Sequence, residues 1–211
     1  MQKPDYIYQC RQILSIPRKK EPEHNIEYLA VDGIKAVLNA VDTSTKQGLR
    51  DLALLSIMYD SAARVQEIAD LCINDFRIEK PSTLRLTGKG QKTRIVPLMD
   101  NTAVLLTKYI NLFHPHYKGT RGIPLFSNRN GEKLTRAGIS YILNKYVDLA
   151  KKDHPSLIPE TVSPHGLRHS KSMHMLQAGV PLIYIRDFLG HSEISTTEIY
   201  ARCNSEQKRK A

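Results

Sequence analysis

The spacing of apolar residues changes twice along this 211-residue chain, and these changes constrain the fold more than any other feature. From about residue 27 to residue 71, apolar residues recur every three or four positions, which is the period of an amphipathic helix. Between residues 73 and 96, short β-branched runs are separated by turn residues, and helical spacing then returns as far as residue 190. We therefore predict a mainly α chain with a small antiparallel β-sheet, an α+β fold.

Capping and turn residues give approximate bounds to these elements. The predicted helices cover residues 27–41 with Asp32 as a possible N-cap, 46–59, 64–71, 101–113, 135–151 with Thr135 as N-cap, the string SPHGLRHSKSMHMLQAG stopped by Gly179, and PLIYIRDFLG opened by Pro181 and ended by Gly190. The predicted strands cover residues 73–78, 83–87 and 93–96, with Pro81-Ser82 and GKGQ at 88–91 as turns. ISTTEIYARC is predicted to form a final short helix or an extended turn.

The chain is strongly basic, with 31 Lys and Arg residues against 21 Asp and Glu residues and a formal net charge of +10. Such a chain most simply has a polyanionic partner, and nucleic acid is the first candidate. On the predicted hairpin, Lys92 and Arg94 are candidate phosphate contacts, although solvated strand positions explain them equally well. Charge alone is also consistent with a surface that only keeps the protein soluble. If the partner is DNA, we expect binding to fall steeply as salt rises.

The cysteines and the apolar stretches favour a cytoplasmic protein without a membrane partner. Cys10, Cys72 and Cys203 are odd in number and far apart, and they match neither a metal-site spacing nor a disulfide framework. The longest apolar stretch, around residues 52–59, is too short to span a bilayer, and MQKPDYIYQC lacks an apolar signal core. We therefore expect a reducing compartment.

Two arginines are suited to binding a phosphodiester. Arg64 precedes Glu67 by about one helical turn, and Arg168 lies in the string HGLRH. Attack on a phosphodiester builds negative charge on the non-bridging oxygens, and a guanidinium donates two parallel hydrogen bonds to phosphate at any working pH. Glu67 would orient the Arg64 side chain through a salt bridge. Taken without the rest of the chain, however, Arg64 and Glu67 are better explained as a surface ion pair.

A tyrosine, two histidines and a lysine supply the other groups that such a reaction needs. We expect Tyr200 to be the nucleophile, although a phenol with a pKa of about 10 needs a base or nearby positive charge to attack. His165 would accept the phenolic proton, His191 would hydrogen-bond a phosphoryl oxygen, and Lys89 would protonate the departing 5′ oxygen. Without these neighbours Tyr200 would be a structural residue. Tyr184 lies in a predicted amphipathic helix, and we expect it to be a core residue.

The histidines of HGLRH do not predict a metal site. His165 and His169 share a helix face at the spacing of zinc ligands. The string lacks the glutamate of HExxH, and the positive charge of Arg168 lies between the two imidazoles. We therefore expect no metal at this position.

Four strings, in this order, resemble motifs of the tyrosine recombinase (phage integrase) family: ARVQEIADL, TGKGQKTRIVPL, SPHGLRHS and LGHSEISTTEIY. Each string is a weak signal by itself, but their order and spacing together are specific. The resemblance covers roughly residues 27–203. It implies the tyrosine recombinase catalytic-domain fold, which is mostly helical with a small sheet.

The resemblance also implies an activity and a site. The matching residues are Arg64 and Arg168 as the family's two arginines, Lys89 as its hairpin lysine, His165 and His191 as its two imidazoles, and Tyr200 as its nucleophile. Cleavage would pass through a 3′-phosphotyrosyl DNA intermediate with a free 5′ hydroxyl, without a metal or nucleotide cofactor. The implied partner is double-stranded DNA, with a monomer in isolation and a tetramer on synapsed DNA. The implied place of action is the DNA of a bacterial cytoplasm.

Two regions depart from the family pattern. Only about 24 residues precede the first predicted helix, where family members usually carry a core-binding domain. We expect residues 1–24 to be an arm or linker left from such a domain and residues 25–211 to be the catalytic domain. The 11 residues after Tyr200 are few for a tail helix that docks on a neighbouring protomer. We therefore expect the catalytic-domain fragment of a mobile-element integrase.

Three other functions remain open at this point. A type IB topoisomerase shares the chemistry and would relax supercoils without a partner site. An inactive DNA-binding fragment of an integrase would form no phosphotyrosyl bond. A basic helix-turn-helix regulator would not need Lys89, His191 and Tyr200 at these spacings.

Overall fold

The structure is a computed structural model that describes residues 28–191 and Thr197. Its helices are α1 (Val31–Asn39), α2 (Lys46–Asp60), α3 (Val65–Ala69), α4 (Asp100–Phe113), α5 (Arg136–Asp153), α6 (Pro164–Gln177) and α7 (Leu182–Leu189). Its strands are β1 (Phe76–Arg77), β2 (Thr83–Thr87) and β3 (Thr93–Pro97). The predicted fold class, mainly helical with one small antiparallel sheet, is confirmed. None of the described helices is long and apolar enough to cross a bilayer.

The sheet is an antiparallel meander in the order β1-β2-β3. Leu84 and Leu86 of β2 are fully buried, whereas Arg85 between them is exposed, as expected for a strand with one face on the core. Pairing of Leu84 with Val96 fixes the register of the β2–β3 hairpin. The hairpin therefore presents its turn, residues 88–92, away from the core.

Helix α2 lies at the centre of the core. Every residue from 53 to 58 is buried, and the helix packs against α4 and α6. Helix α5 packs against α1 and α3, while α7 packs against α6 and β3. These contacts bring the loop before α3, the β2–β3 hairpin, the start of α6 and the end of α7 to the same side of the domain.

Several predicted helix ends are confirmed by capping contacts. The Thr135 hydroxyl accepts a hydrogen bond from the Gly138 amide (3.1 Å) where α5 begins. Gly190 ends α7 in the left-handed conformation, with φ of 65°, and Pro181 precedes that helix as its N-cap. Gly179, with φ of 82°, follows the end of α6. Local chemistry therefore determines where these helices stop and start.

The predicted N-cap of the first helix is wrong. Ala30 occupies the N-cap position of α1, and Asp32 lies inside the first turn. The Asp32 carboxylate forms an ion pair with Lys35 (3.1 Å) on the exposed side of the helix. An acidic residue in the first turn still favours the helix, because it lies near the positive end of the helix dipole.

The strand predicted over residues 73–78 is also wrong in part. Ile73–Asp75 forms a 3₁₀ turn, and only the two residues of β1 pair with β2. The cause is local, because the Asp75 carboxylate accepts a hydrogen bond from the Cys72 amide (2.9 Å) and turns the chain. The final predicted element, ISTTEIYARC, lies outside the described residues except for Thr197.

We expect Leu106→Ala to lower the free energy of unfolding by about 2–5 kcal/mol, because it empties a fully enclosed site in the core. Leu106 of α4 is 0% exposed. The matched control is Leu112→Ala in the same helix, where the side chain is 43% exposed and the expected change is within about 0.5 kcal/mol. Urea unfolding of both variants measures the difference. Equal losses at the two positions would contradict the described packing of α4.

Candidate functional site

A cleft of about 760 Å³ opens where the β2–β3 hairpin meets α6 and α7. The residues that line it are Arg64, Gly88, Lys89, Lys92, Thr93, Arg94, His165, Arg168, Gly190 and His191. Among the described residues its lining is cationic and imidazole-rich and includes no carboxylate. Such a surface attracts an anion and suits a phosphate group.

Arg64 is held at the N-terminus of α3 by Glu67. The Glu67 carboxylate accepts hydrogen bonds from the Arg64 amide (2.7 Å) and from Arg64 Nη1 (3.1 Å). Burial alone would raise the pKa of Glu67, but hydrogen bonds from Arg94 and the Arg64 backbone, with the charges of both arginines, lower it overall. The Glu67 side chain is 2% exposed and that of Arg64 is 44% exposed. The pair is therefore not a surface ion pair: a buried anion orients a cation that reaches the cleft.

The loop before Arg64 has an unusual backbone conformation. Ala62 is fully buried and has φ of 46°, a left-handed conformation that normally favours glycine. Its carbonyl accepts a hydrogen bond from Arg168 Nη1 (2.6 Å). The Ser61 hydroxyl also supports this loop, because it accepts a hydrogen bond from the Ala63 amide (3.3 Å). A strained bend thus places Arg64 beside the second arginine.

Arg168 lies on α6 and is almost completely buried, at 1% exposure. Its Nη1 binds the Ala62 carbonyl, and its Nη2 donates to the Leu189 carbonyl (2.7 Å) at the end of α7. A guanidinium has five N–H donors, and two of them bind these carbonyls. Arg168 therefore joins the loop before α3 to the end of α7 while it also lines the cleft.

His165 lies in the first turn of α6, which begins at Pro164 after a Ser163 cap. The Ser163 hydroxyl accepts a hydrogen bond from the Gly166 amide (3.0 Å). His165 is exposed at the cleft, yet desolvation by the surrounding groups, followed by the charges of Arg168 and Arg64, lowers the pKa of its ring. A neutral imidazole at pH 7 is the form that accepts a proton.

His191 follows Gly190 directly after α7. Its amide donates to the Arg186 carbonyl (3.1 Å), and its Nδ1 lies 3.1 Å from the Thr197 hydroxyl. Desolvation, then the charges of Arg168 and Arg64, lower the pKa of His191 to about 4. His191 is therefore neutral at pH 7 and lies among arginines.

Lys89 is exposed in the turn of the β2–β3 hairpin. The turn is closed by a hydrogen bond from the Gly88 amide to the Lys92 carbonyl (2.8 Å). Gly90 and Gln91 both have positive φ, of 74° and 60°, as tight hairpin turns require. This geometry places the lysine at the end of an extension that reaches over the cleft.

The structure places the two predicted phosphate contacts differently. Lys92 is exposed at the cleft. Arg94 is only 12% exposed, and its guanidinium binds both Glu67 oxygens, at 2.6 and 2.9 Å. This second partner of Glu67 was not part of the sequence prediction, since the two residues lie 27 positions apart and no local pattern links them.

His169 lies next to His165, one of the residues that line the cleft, on the same face of α6. Its ring meets the His165 ring edge to face, with 4.1 Å between the centroids. Desolvation, followed by the charges of His165 and Arg168, lowers the pKa of His169 to about 4. Across residues 28–191 and Thr197, no group of three or more His, Cys, Asp or Glu side chains is arranged to hold a metal ion. Tyr200 lies outside the described residues.

Comparison with known proteins gives three informative matches. The XerD tyrosine recombinase of Staphylococcus epidermidis is 37% identical over 185 residues, which are 87% of this chain and 60% of that protein. A crystal structure of the XerH site-specific recombinase, bound to a palindromic difH substrate in a post-cleavage complex, has a TM-score of 0.74 and 26% identity. That match covers 88% of this chain and 52% of the XerH chain. The Tn1549 transposon integrase in complex with transposon right end DNA shares the fold, with a TM-score of 0.66, 19% identity, and coverage of 99% and 72%.

This chain spans about 60% of the length of the curated relatives it matches. The fold implied by the four sequence strings is confirmed, because the described helices and sheet superpose on tyrosine recombinases of known structure. The sequence profile of the phage integrase family matches residues 27–207. The chain therefore belongs to the phage integrase family, the tyrosine recombinases.

Proposed function

We propose that residues 25–211 form the catalytic domain of a site-specific DNA recombinase, which cleaves and rejoins strands through a 3′-phosphotyrosyl intermediate. The cleft carries this proposal, because it gathers side chains of the required chemistry from separate segments of the chain, namely Arg64, Lys89, His165, Arg168 and His191. The similarity to XerD and XerH supports recombination over type IB topoisomerase activity and over an inactive DNA-binding fragment.

Thr197 supports a position for Tyr200 near this cleft. Thr197 is fully buried, and its hydroxyl lies 3.1 Å from His191 Nδ1. Tyr200 follows Thr197 by three residues in the sequence, and a fully extended chain advances by at most about 3.6 Å per residue. We therefore propose that the Tyr200 phenol reaches a phosphate bound in the cleft.

In the proposed cleavage step, the Tyr200 phenolic oxygen attacks phosphorus and the bond from phosphorus to the 5′ oxygen breaks. His165 takes the phenolic proton; its lowered pKa keeps the ring neutral at pH 7, which is the form that can accept a proton. Lys89 supplies a proton to the departing 5′ oxygen. The products are a 3′-phosphotyrosyl bond and a free 5′ hydroxyl, so atoms and charges balance.

Positive charge in the cleft stabilises the transition state of this step. Arg64 and Arg168 bind the non-bridging oxygens as negative charge develops on them. When His191 is neutral and its Nδ1 accepts a hydrogen bond from Thr197, its proton lies on Nε2, from which it donates to a phosphoryl oxygen. These groups supply the charge stabilisation without a metal ion, and we therefore propose a metal-independent reaction.

Rejoining reverses the step with a different strand. A 5′ hydroxyl from the partner duplex attacks the phosphotyrosyl bond and releases the Tyr200 oxygen. No nucleotide cofactor is needed, because the phosphotyrosyl bond keeps the energy of the phosphodiester that was cleaved. The proposed partner is double-stranded DNA in a bacterial cytoplasm, with a monomeric chain in isolation and a tetramer at synapsis. We propose that the enzyme serves a mobile element and that residues 1–24 are the linker to a core-binding domain.

A suicide substrate tests the proposed function. The chain is incubated with nicked duplexes made from the ends of its own element, so that the released fragment diffuses away and covalent complexes accumulate. We expect a covalent protein–DNA adduct and, by mass spectrometry, DNA attached at Tyr200. Supercoil relaxation and strand exchange are measured in parallel, and relaxation without a partner site would favour the topoisomerase. Absence of any adduct on all end sequences would contradict the proposal.

We expect the protein to take up protons when it binds DNA at a pH below about 6.5. In the free protein, His165 has a lowered pKa and His191 a pKa of about 4, so both are neutral at pH 7. A bound phosphate favours the protonated rings and raises both pKa values, so the complex holds more protons than the free components in this window. We expect Kd, measured with the non-cleaving Tyr200→Phe variant at constant salt, to be about tenfold lower at pH 5.5 than at pH 7.5.

The matched controls are His191→Gln and His116→Gln. His191→Gln removes one of the titrating rings and should reduce the pH dependence of Kd. His116 is exposed in the loop after α4, so His116→Gln should leave that dependence unchanged. A Kd that does not change between the two pH values would show that phosphate does not approach these imidazoles.

A further inference from the structure

We propose that Arg94 is a positioning residue, which fixes Arg64 and His191 relative to each other by joining Glu67 to the end of α7. This inference deepens the proposed function and rests on it. It differs from the sequence prediction that Arg94 contacts DNA phosphate. The two roles predict different measurements, because one acts on cleavage and the other on binding.

The first contact of Arg94 is with Glu67. Its Nη1 and Nη2 bind the two carboxylate oxygens at 2.6 and 2.9 Å, a bidentate pair whose side chains are 12% and 2% exposed. The same Oε1 accepts from Arg64 Nη1 and the same Oε2 from the Arg64 amide. Glu67 is thus shared by two arginines, and the position of the Arg64 guanidinium depends on how Arg94 holds the carboxylate.

The second contact of Arg94 is with the end of α7. Its Nε donates to the Phe188 carbonyl (2.9 Å), next to the Leu189 carbonyl that Arg168 Nη2 binds. Two guanidinium groups therefore satisfy consecutive carbonyls at the negative end of this helix, where cations are favoured. His191 follows two residues after Leu189, so these contacts also determine where its ring lies.

The packing around Arg94 leaves little freedom for this arrangement. A Cβ added at Gly190 would lie 2.9 Å from Arg94 Cδ and 3.2 Å from its Nη1, so glycine permits the close approach of α7 to the side chain. A Cβ at Gly88, on the other side, would lie 3.1 Å from the Glu67 Oε1. The hairpin that carries Lys89, the carboxylate that holds Arg64 and the helix end before His191 therefore meet at one guanidinium.

If Arg94 instead contacted a DNA phosphate, its substitution would change the salt dependence of DNA binding. A side chain that neutralises a phosphate contributes to the salt dependence of binding, and its loss reduces the slope of log Kd against log salt by about 1. A positioning residue does not change that slope. It changes the cleavage rate of the bound complex, because a misplacement of about 1 Å costs on the order of 10²-fold.

The experiment compares Arg94→Lys and Arg94→Met with Arg85→Lys in the same chain. Arg85 lies on the neighbouring strand β2, is exposed, and pairs with Asp75 (2.7 Å) away from the cleft. Single-turnover adduct formation on the nicked duplex at saturating DNA gives the cleavage rate, and titrations at several salt concentrations give Kd and its slope. Thermal unfolding confirms that each variant is folded at the assay temperature.

We expect Arg94→Lys to lower the cleavage rate about 10²-fold while Kd and its salt slope stay within about twofold, since one ammonium keeps the charge but does not bind Glu67 and Phe188 together. Arg94→Met should have the same salt slope, and Arg85→Lys should cleave at the rate of the unsubstituted chain. A wild-type cleavage rate in Arg94→Lys, or a salt slope reduced by about 1 in Arg94→Met, would overturn the inference.

A double-mutant cycle with Glu67→Gln keeps the test decisive if Arg94→Met is unstable. Gln preserves the shape of Glu67 but removes its charge, so the bidentate pair is lost. If Arg94 acts through Glu67, the double variant Arg94→Lys/Glu67→Gln should cleave DNA at nearly the same rate as the single variant with the lower rate. Additive losses would overturn the proposed link. Absence of any adduct with the unsubstituted chain would instead count against the proposed function itself.

Discussion

Replacement of Tyr200 by phenylalanine is expected to abolish the covalent DNA adduct while Kd for DNA stays within about twofold. The substitution removes only the phenolic oxygen, which is the proposed nucleophile, and keeps the aromatic ring. Among the described residues that line the cleft, Thr93 is the only tyrosine, serine, threonine or cysteine. Attachment to DNA should therefore fall below detection on the nicked substrate, a loss of at least about 10³-fold.

The matched control is Tyr184→Phe. Tyr184 lies on α7, close in sequence to the cleft residues. It is 64% exposed, so the prediction that it is a core residue is wrong, and the loss of its hydroxyl should not change adduct formation. Gel mobility in denaturing conditions measures the adduct, and fluorescence anisotropy measures Kd. If the Tyr200→Phe variant still became covalently linked to DNA, another residue would be the nucleophile and the sequence assignment would be wrong.

Replacement of Arg168 by methionine is expected to lower both stability and cleavage. The substitution removes the donors to the Ala62 and Leu189 carbonyls, two groups that are held 2.6 and 2.7 Å from the guanidinium. Leaving buried carbonyls without these bonds should cost about 2–4 kcal/mol in the free energy of unfolding. Loss of a cation from the transition state should lower the cleavage rate by at least about 10²–10³-fold.

Two variants separate these effects. Arg168→Lys keeps the charge, but a single ammonium cannot bind the Ala62 and Leu189 carbonyls together as the guanidinium does. We therefore expect a partial loss of stability. Arg186→Met, on the partly exposed surface of α7 where Arg186 pairs with Asp187, should change the free energy of unfolding by less than about 0.5 kcal/mol. Urea unfolding gives the stability, and single-turnover cleavage is measured well below the midpoint. A fully stable Arg168→Met variant would contradict the structural role.

The features that sequence predicted well are those with a local cause. The Thr135 cap, the Gly190 stop and the GKGQ turn each depend on residues within a few positions, and the structure contains all three. The fold class followed from the period of the apolar residues, which reports the exposed and buried faces of each element directly. The four motif strings predicted the residues that line one cleft, although the position of Tyr200 in it stays a prediction.

The features that sequence did not predict depend on contacts between distant segments. The pairing of Arg94 with Glu67 and the Phe188 carbonyl has no local signature. The positive φ of Ala62 could not be predicted either, because the residue that usually indicates this conformation is glycine. The strand predicted over 73–78 failed because one carboxylate, that of Asp75, competes with the sheet for the backbone. Tertiary contacts and side chain–backbone bonds overrode the local pattern in each case.

The burial of Arg168 has a consequence for reading related sequences. A family member without cleavage activity would still need this guanidinium to keep its core intact, so the presence of the arginine is weak evidence of activity. Lys89 is exposed at the end of the hairpin and does not stabilise the core, so it could be substituted without loss of stability once catalysis was no longer under selection. Among degenerate copies of such genes, the hairpin lysine is therefore the more sensitive indicator of a working enzyme.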